Sequence, residues 1–578
     1  MGENSIKMDN VVLNNVNNSE ENVFIDNIYW ERVQMYMTGR LGFNMSIQGT
    51  FQLQNVNNEE VIPIKHVRMK GNEFTCRFNV SAVDSSYLVS GTYQLLYTTK
   101  EGQYHAKVSQ KLLKVNQQLL TLFQQNDLNQ FNPDDNYVLQ LLTKVFRKNG
   151  NSTKHCYIVT PQIDPYNNDM MLKVTYTNYK SKGRSKKSKF SLNKTRRRWW
   201  LKTREGIFNA IFNTSKFIHT KKTHTVLFSS ESRANLSGNF KFIYDEMMRQ
   251  HIDDKYKIHQ IYKANITDRY KFTDKFKLPY LYGKADIIFV DDFHPTLNKV
   301  KFRPSQDIIQ VWHAVGAFKT VGYSRAGKQG GLFFGSKAHR NYTKVYVSSK
   351  SVIPMYAEAF GMDESQVIAT GVPRTDILFD ESYAQQIRDK MSQELPIING
   401  KKVVLFAPTF RGNGHKSAHY PFDNIDFDRL VTYCRNHNAV VLFKMHPFVK
   451  ERVPIPTEYQ AYFQDIADYR EVNDLLFITD ILITDYSSLI YEFACFKRPM
   501  LFYAFDLEDY IATRDFYEPY VSFVPGKIVR QFDDVMQSLE DNDFDIEKVK
   551  TFLDKNFDYQ DGLASQRLVN DVFNSHTT

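Results

Sequence analysis

Histidine, arginine, lysine and serine recur at the ends of apolar runs in the second half of this chain. In Ile481-Leu-Ile-Thr-Asp-Tyr-Ser-Ser-Leu-Ile-Tyr-Glu-Phe-Ala494 a strand-like run ends at Asp485, and two hydroxyls, Ser487 and Ser488, stand where a helix should begin. Unpaired N–H groups and partial positive charge in a helix's first turn can join such hydroxyls as a diphosphate cradle. Taken singly, the same pattern is an ordinary N-cap. Gln310-Val-Trp-His-Ala-Val-Gly-Ala-Phe-Lys319 sets His313 just past a strand end, placed for proton transfer. Gly371-Val-Pro-Arg-Thr-Asp376 offers Arg374 as a planar fork for phosphate oxygens, with Asp376 to cap the next helix. Phe406-Ala-Pro-Thr-Phe-Arg411 carries Thr409 and Arg411 toward a phosphate, and Val441-Leu-Phe-Lys-Met-His-Pro447 ends in His446, with Lys444 two residues before it.

Each cluster has a plain structural alternative: a histidine bonded into the core, an arginine–aspartate pair, a satisfied histidine at a turn. His415 and His419, in the glycine-rich stretch after Arg411, read as exposed and without chemistry. Five such ends in one half of the chain nevertheless exceed what a scaffold needs. The set is rich in imidazole, guanidinium, ammonium and hydroxyl and poor in paired carboxylates, which suits phosphoryl chemistry better than glycoside hydrolysis. Gly327-Lys-Gln-Gly-Gly331 lacks the spacing and the following hydroxyl of a nucleotide P-loop. No compact Asp/Glu/His cluster resembles a metal cage, so no cofactor is expected and a metal requirement stays open.

The elements that must position these groups change character along the chain. Residues 1–22 are Asn-rich and polar and read as a disordered tail. From 23 to 178, short alternating runs such as Phe74-Thr-Cys-Arg-Phe-Asn-Val and Gly91-Thr-Tyr-Gln-Leu-Leu-Tyr predict a β-rich, sandwich-like domain. From 225 onward, short apolar strands alternate with helical patterns: Thr225–Phe228, Ala285–Val290, Asp307–Trp312, Lys344–Val347, Gln366–Ala369, Lys402–Phe406, Ala439–Lys444, Ile481–Thr484 and Pro499–Tyr503. That grammar predicts two doubly wound α/β domains, 225–385 and 386–578, with ligands beyond the carboxyl ends of the strands.

The net charge of +10 is local: Lys180 to Arg204 holds twelve Lys or Arg and no Asp or Glu, and subtracting these twelve leaves −2. Within 179–224, Arg196, Arg197 and Arg198 precede Trp199 and Trp200, a combination suited to lipid phosphates and the headgroup boundary. A solvated linker and a nucleic-acid patch are the other readings of the segment. Hydrophobic residues make up 42% of 578, enough for several cores, yet no run is long and apolar enough to cross a bilayer. Four scattered cysteines without a CxxC pair, and an amino terminus without a signal-peptide pattern, predict a soluble protein of a reducing compartment.

The order Trp-His…Pro-Arg-Thr-Asp…Pro-Thr-Phe-Arg…Lys-Met-His-Pro…Thr-Asp-Tyr-Ser-Ser resembles the CDP-glycerol glycerophosphotransferase family, the teichoic acid polymerases. The resemblance runs from Thr225 to the C-terminus. It implies a GT-B architecture, with an active site between two Rossmann-like domains. It further implies transfer of an alditol phosphate from a CDP-alditol to a lipid-linked polymer, release of CMP, and peripheral attachment to the cytoplasmic face of the cell membrane. The first motif departs from Trp-His-Gly-Thr-Pro; Trp312-His-Ala-Val-Gly-Ala-Phe-Lys is similar to the family's ribitol-phosphate branch, implying CDP-ribitol as donor. CDP-glycerol, or a nucleotide sugar, are the alternative donors. By the same resemblance His313 is the general base and His446 a second catalytic group. Arg374, Asp376, Thr409, Arg411, Asp485, Ser487 and Ser488 would hold the CDP-alditol. The implied partners are the donor, a glycerol- or ribitol-phosphate acceptor and an anionic membrane surface, with no nucleic acid and with homo-oligomerisation left open.

Overall fold

The computed structural model describes residues 22–42, 45, 48–84, 86–109, 111–112, 137–138, 142–164, 169–178, 192–412, 416–469 and 471–574. Residues 1–21 of the expected tail, the part of the basic run before residue 192 and His415 therefore lie outside the described residues. The chain divides into two compact units. One comprises 1–195 with 321–340 and 357–363; the other comprises 196–320, 341–356 and 364–578.

The first unit is β-rich, as its alternating sequence predicts. Among the described residues twelve strands are hydrogen-bonded into one connected set. All pairs are antiparallel except Val23–Glu31 beside Gln103–Val108. Burial alternates residue by residue along Thr50–Asn55 and Glu73–Asn79, so one face of each strand supplies the core. That core also contains side chains from much later in the chain. Phe334 is fully buried and stacks on Tyr157 with ring centroids 3.8 Å apart, and Phe333 joins the same cluster. Arg32 donates to the buried carboxylate of Glu358 at 2.6 Å.

The second unit holds two six-stranded parallel sheets. The first runs in the order Lys257–Tyr262, Thr225–Ser230, Ile287–Val290, Asp307–Gln310, Lys344–Val347, Val367–Ala369. The second runs Phe463–Asp465, Ala439–Phe443, Lys402–Phe406, Ile481–Thr484, Met500–Tyr503, Lys527–Val529. Central strands such as Ile287–Val290 and Ala439–Phe443 are buried at every position, as expected when helices cover both faces. The helix Glu381–Glu394 packs Ala384, Ile387 and Met391 into the core of the second sheet. The final helix, Ala564–Asn574, crosses back: Leu568, Val569, Val572 and Phe573 join the core of the first sheet with Phe228 and Phe289.

The basic tryptophan segment continues from Leu192 to Ile218 as one helix of 27 residues. Its second half is anchored by Phe212 and Ser215, both buried; Phe212 lies edge-on to Phe302, and the Ser215 hydroxyl donates to the Tyr280 carbonyl at 2.7 Å. Toward its start, Arg196 and residues 199–207 are exposed, with Trp199 at 71% and Trp200 at 54% of full accessibility. No helix among the described residues is long and apolar enough to cross a membrane.

Candidate active site

The strand Asp307–Gln310 ends two residues earlier than its apolar pattern suggests, because Trp312 turns into the left-handed region at φ 42°. A bulky residue held there is strained and must be fixed by its surroundings. Gln310 accepts the Trp312 N–H at 2.8 Å and donates to the Asp292 carbonyl at 3.1 Å. The buried Asn239 donates to the carbonyls of Val311 and Trp312 at 2.9 and 2.8 Å. The turn presents His313 with its side chain half exposed, its Nδ1 3.4 Å from Oδ1 of Asp292. Burial would raise the Asp292 carboxyl, but His313, the Phe293 N–H and Ser232 outweigh it and hold its pKa below the usual value. Asp292 thus stays ionised and lies against Nδ1 of His313, so Nε2 is the ring nitrogen left to meet a reacting hydroxyl.

Asn239 also accepts the Arg374 N–H at 3.0 Å, so one amide clips the Trp312 turn to the turn at Pro373. The Arg374 guanidinium forms an ion pair with the buried Glu492, on the short helix Leu489–Ala494 that follows Ser488. Gly316, three residues past His313, lies flat against Tyr491 of the same helix; a Cβ there would fall 2.0 Å from the ring. The loop then pairs with the other half of the unit: Thr320 N–H donates to Asp515 O at 3.0 Å and Tyr517 N–H to Phe318 O at 3.1 Å. His313, Arg374 and the Ser487–Ser488 turn are thereby tied to one another through Asn239, Glu492 and Tyr491.

A second knot forms at the carboxyl ends of Lys402–Phe406 and Ile481–Thr484. Buried Asp485 accepts from the Thr409 N–H and hydroxyl at 2.8 and 2.9 Å, and from Arg411 at 2.9 Å. Arg411 also grips Asp506 through Nε and Nη2 at 2.5 and 2.9 Å and the Thr409 carbonyl at 2.9 Å. Burial alone would weaken its hold on the proton, but the two carboxylates reverse this and raise its pKa further. Thr409 and Arg411, expected to reach toward a phosphate, here have Asp485 and Asp506 as partners, and four aromatic rings lie around the guanidinium. Asp376 is likewise committed. It caps the distant helix Ala564–Asn574, accepting from the N–H groups of Ala564 and Ser565 at 2.8 and 2.9 Å, whereas Asp380 caps the next helix. Burial raises the Asp376 carboxyl above its ordinary range.

His446 packs its ring on Phe410, between Thr409 and Arg411, with centroids 4.7 Å apart. Its Nδ1 accepts the Phe448 N–H at 3.1 Å, so the neutral ring carries its proton on Nε2. Lys444 does not share its direction: the ammonium is buried and donates to the Ala467 carbonyl at 2.8 Å, and burial lowers its pKa. Ser487 is half buried, its hydroxyl accepting the Leu489 N–H at 3.3 Å, and Ser488 is exposed. The helix behind them has only six residues, so its hydroxyls and turn N–H groups matter more than its dipole. Arg196, Trp199 and Trp200 lie on the exposed half of the long helix, away from this site in the chain, and the side chains of Arg197 and Arg198 fall outside the described residues.

The residues not foreseen are Asp292, Asn239, Glu492 and Asp506, together with a buried network beside them. Glu231 accepts from Lys263 at 2.7 Å and Thr296 at 2.7 Å and lies 3.0 Å from His294 Nδ1, while His294 Nε2 meets the Ser229 hydroxyl at 2.9 Å. All of these except Thr296 are buried. Burial would raise Glu231, but His294, Lys263 and Thr296 hold its carboxyl far below the ordinary range. Among the described residues no group of three or more His, Cys, Asp or Glu side chains forms a metal cage.

Comparison with known proteins identifies the family. The family model for CDP-glycerol:poly(glycerophosphate) glycerophosphotransferase matches residues 211–574. The chain is 54% identical to the teichoic acid ribitol-phosphate polymerase TarL of Staphylococcus aureus over 96% of its own length and 99% of that protein. It is 55% identical to TarK of the same organism, also a teichoic acid ribitol-phosphate polymerase, over 88% of its length and all of that protein. Its fold is similar to that of the wall teichoic acid polymerase TagF, with a TM-score of 0.52 at 22% identity over 67% of this chain and 98% of that one. This chain belongs to the CDP-glycerol:poly(glycerophosphate) glycerophosphotransferase family.

Proposed function

We propose that this chain is a teichoic acid ribitol-phosphate polymerase, moving ribitol phosphate from CDP-ribitol to a lipid-linked wall teichoic acid acceptor and releasing CMP. The observation that carries the reading is the juxtaposition of His313, backed by Asp292, with the Ser487–Ser488 turn through Arg374 and Glu492; the near-full-length likeness to two ribitol-phosphate polymerases supports the choice of alditol. The acceptor hydroxyl attacks the β-phosphorus of CDP-ribitol. A new P–O bond forms to the acceptor oxygen, the bond from that phosphorus to the bridging oxygen breaks, and CMP leaves with the bond's electron pair. His313 Nε2 takes the hydroxyl proton, and Asp292 steadies the imidazolium. His446, through Nε2–H, offsets charge on the transferring group or the departing CMP, and Ser487 and Ser488 hold the diphosphate. Arg374, Asp376, Thr409, Arg411 and Asp485 act one step back, fixing the turns that carry these groups.

The two parallel-sheet halves, proposed as domains 225–385 and 386–578, form a GT-B arrangement, and the first unit's strands close as a sandwich over an apolar core. The exposed half of the long helix rests on an anionic membrane at its cytoplasmic face, where the acceptor's lipid is anchored. No metal or organic cofactor is assigned a role.

The test is CMP release by the purified protein given CDP-ribitol or CDP-glycerol and a lipid-linked primer. CMP from CDP-ribitol is expected; none from either donor would overturn the enzyme reading, and CMP from CDP-glycerol alone would overturn the ribitol assignment. His313→Ala should lower turnover by about 10²–10⁴-fold while CDP-ribitol still binds in an equilibrium assay; wild-type turnover by the folded variant would remove the base assignment.

A further inference from the structure

The donor's two phosphates each carry a negative charge, yet the arginines of the site bring no spare positive charge to meet them. Arg374 is balanced by Glu492, and Arg411 faces both Asp485 and Asp506, a cluster that is negative overall. We propose that Lys319 is the cationic ligand of the donor diphosphate, an inference that rests on the CDP-alditol transferase reading above.

Lys319 lies six residues beyond His313 on the same loop and is half buried. Its backbone is held rigidly, in an antiparallel bridge with Phe516 and between the Thr320–Asp515 and Phe318–Tyr517 hydrogen bonds. Its ammonium sits 5.4 Å from the ring centroid of Tyr510, and among the described residues no carboxylate lies within ion-pairing distance of it. Tyr510 stacks on Tyr486 with centroids 3.7 Å apart, and Tyr486 immediately precedes Ser487 and Ser488. One aromatic pair therefore separates an uncompensated cation from the serine turn. An aromatic face attracts an ammonium but does not neutralise it, whereas a phosphate oxygen does, and a four-carbon side chain on a fixed backbone can swing to it. The residue thus links the base, on its own loop, to the diphosphate on the opposite half of the unit.

The experiment compares equilibrium binding of CDP-ribitol and of cytidine, which lacks phosphate, to the full chain and to Lys319→Gln and Lys319→Arg at two salt concentrations. Lys319→Gln should weaken CDP-ribitol by about tenfold or more and flatten its salt dependence while leaving cytidine binding unchanged; Lys319→Arg should keep most of the affinity. Unchanged CDP-ribitol affinity and salt response in Lys319→Gln would overturn the proposal. So would an equal loss for cytidine and CDP-ribitol, which marks a prop for the loop. If Lys319→Gln does not fold, Lys319→Arg decides: a loss as great for cytidine as for CDP-ribitol overturns the proposal. Wild-type protein that binds no CDP-ribitol would remove the underlying reading instead.

Discussion

Arg411 shows how far one residue's role depends on partners distant in sequence. Read locally, an arginine after a strand and a turn is a phosphate fork. In the folded chain Asp485, 74 residues on, and Asp506, 95 residues on, take its donors, and nothing in the local spacing signals either. Arg411→Leu should therefore act chiefly on stability. Two carboxylates left without their cation in a largely buried site cost about 3–5 kcal/mol, to be read as a lowered urea midpoint, and a stability equal to wild type would return Arg411 to the ligand shell. His313, by contrast, stands out in the sequence because a histidine past a strand end needs no partner to be noticed. Its Asp292 was not, since two aspartates after Val290 look like any polar turn until the neighbouring strand places one beside the imidazole.

The central strands were readable almost to the residue, because burial on both faces writes an unbroken apolar run: Lys344–Val347, Lys402–Phe406 and Ile481–Thr484 stand as their patterns predict. The strands missed are Lys257–Tyr262, Phe463–Asp465 and Lys527–Val529, all at sheet edges, where one side faces solvent and residues such as His259, Gln260 and Gln464 dilute the signal. The same holds for the loop between elements. Gly316 reads as a turn glycine, yet its need is contact: with a Cβ pressed on Tyr491, the loop would lift and carry His313 with it. Gly316→Ala should keep its circular dichroism and lose turnover; a displacement of about 1 Å costs on the order of 10²-fold. Undiminished turnover would show that the loop yields. Glu231 ties the end of Thr225–Ser230 to the segments around Lys263 and His294. Its carboxyl is depressed, so its stabilisation is fully present above the ordinary glutamate value and is lost as pH falls through the folded one. Glu231→Gln should thus cost about 3–5 kcal/mol at neutral pH, and the gap to wild type should narrow as pH drops below about 4. A gap constant with pH, measured by urea unfolding, would contradict this.

At the scale of the molecule, the basic run of the sequence leads into a helix that exposes Trp199 and Trp200. Arg196→Glu combined with Trp199→Ala and Trp200→Ala should weaken co-sedimentation with phosphatidylglycerol vesicles, each basic side chain contributing about 1 kcal/mol, while activity on a soluble acceptor persists. Vesicle binding equal to wild type would exclude this helix as the contact. The composition announced three regions in order along the chain, but the fold does not keep to that order. The β-rich unit encloses Phe333 and Phe334 and pairs Arg32 with Glu358, all supplied by segments that follow His313. During synthesis the earliest-made strands must therefore wait, with an open hydrophobic slot, until more than half of the polypeptide has left the ribosome. Chaperone engagement of the nascent chain is expected to last through that interval.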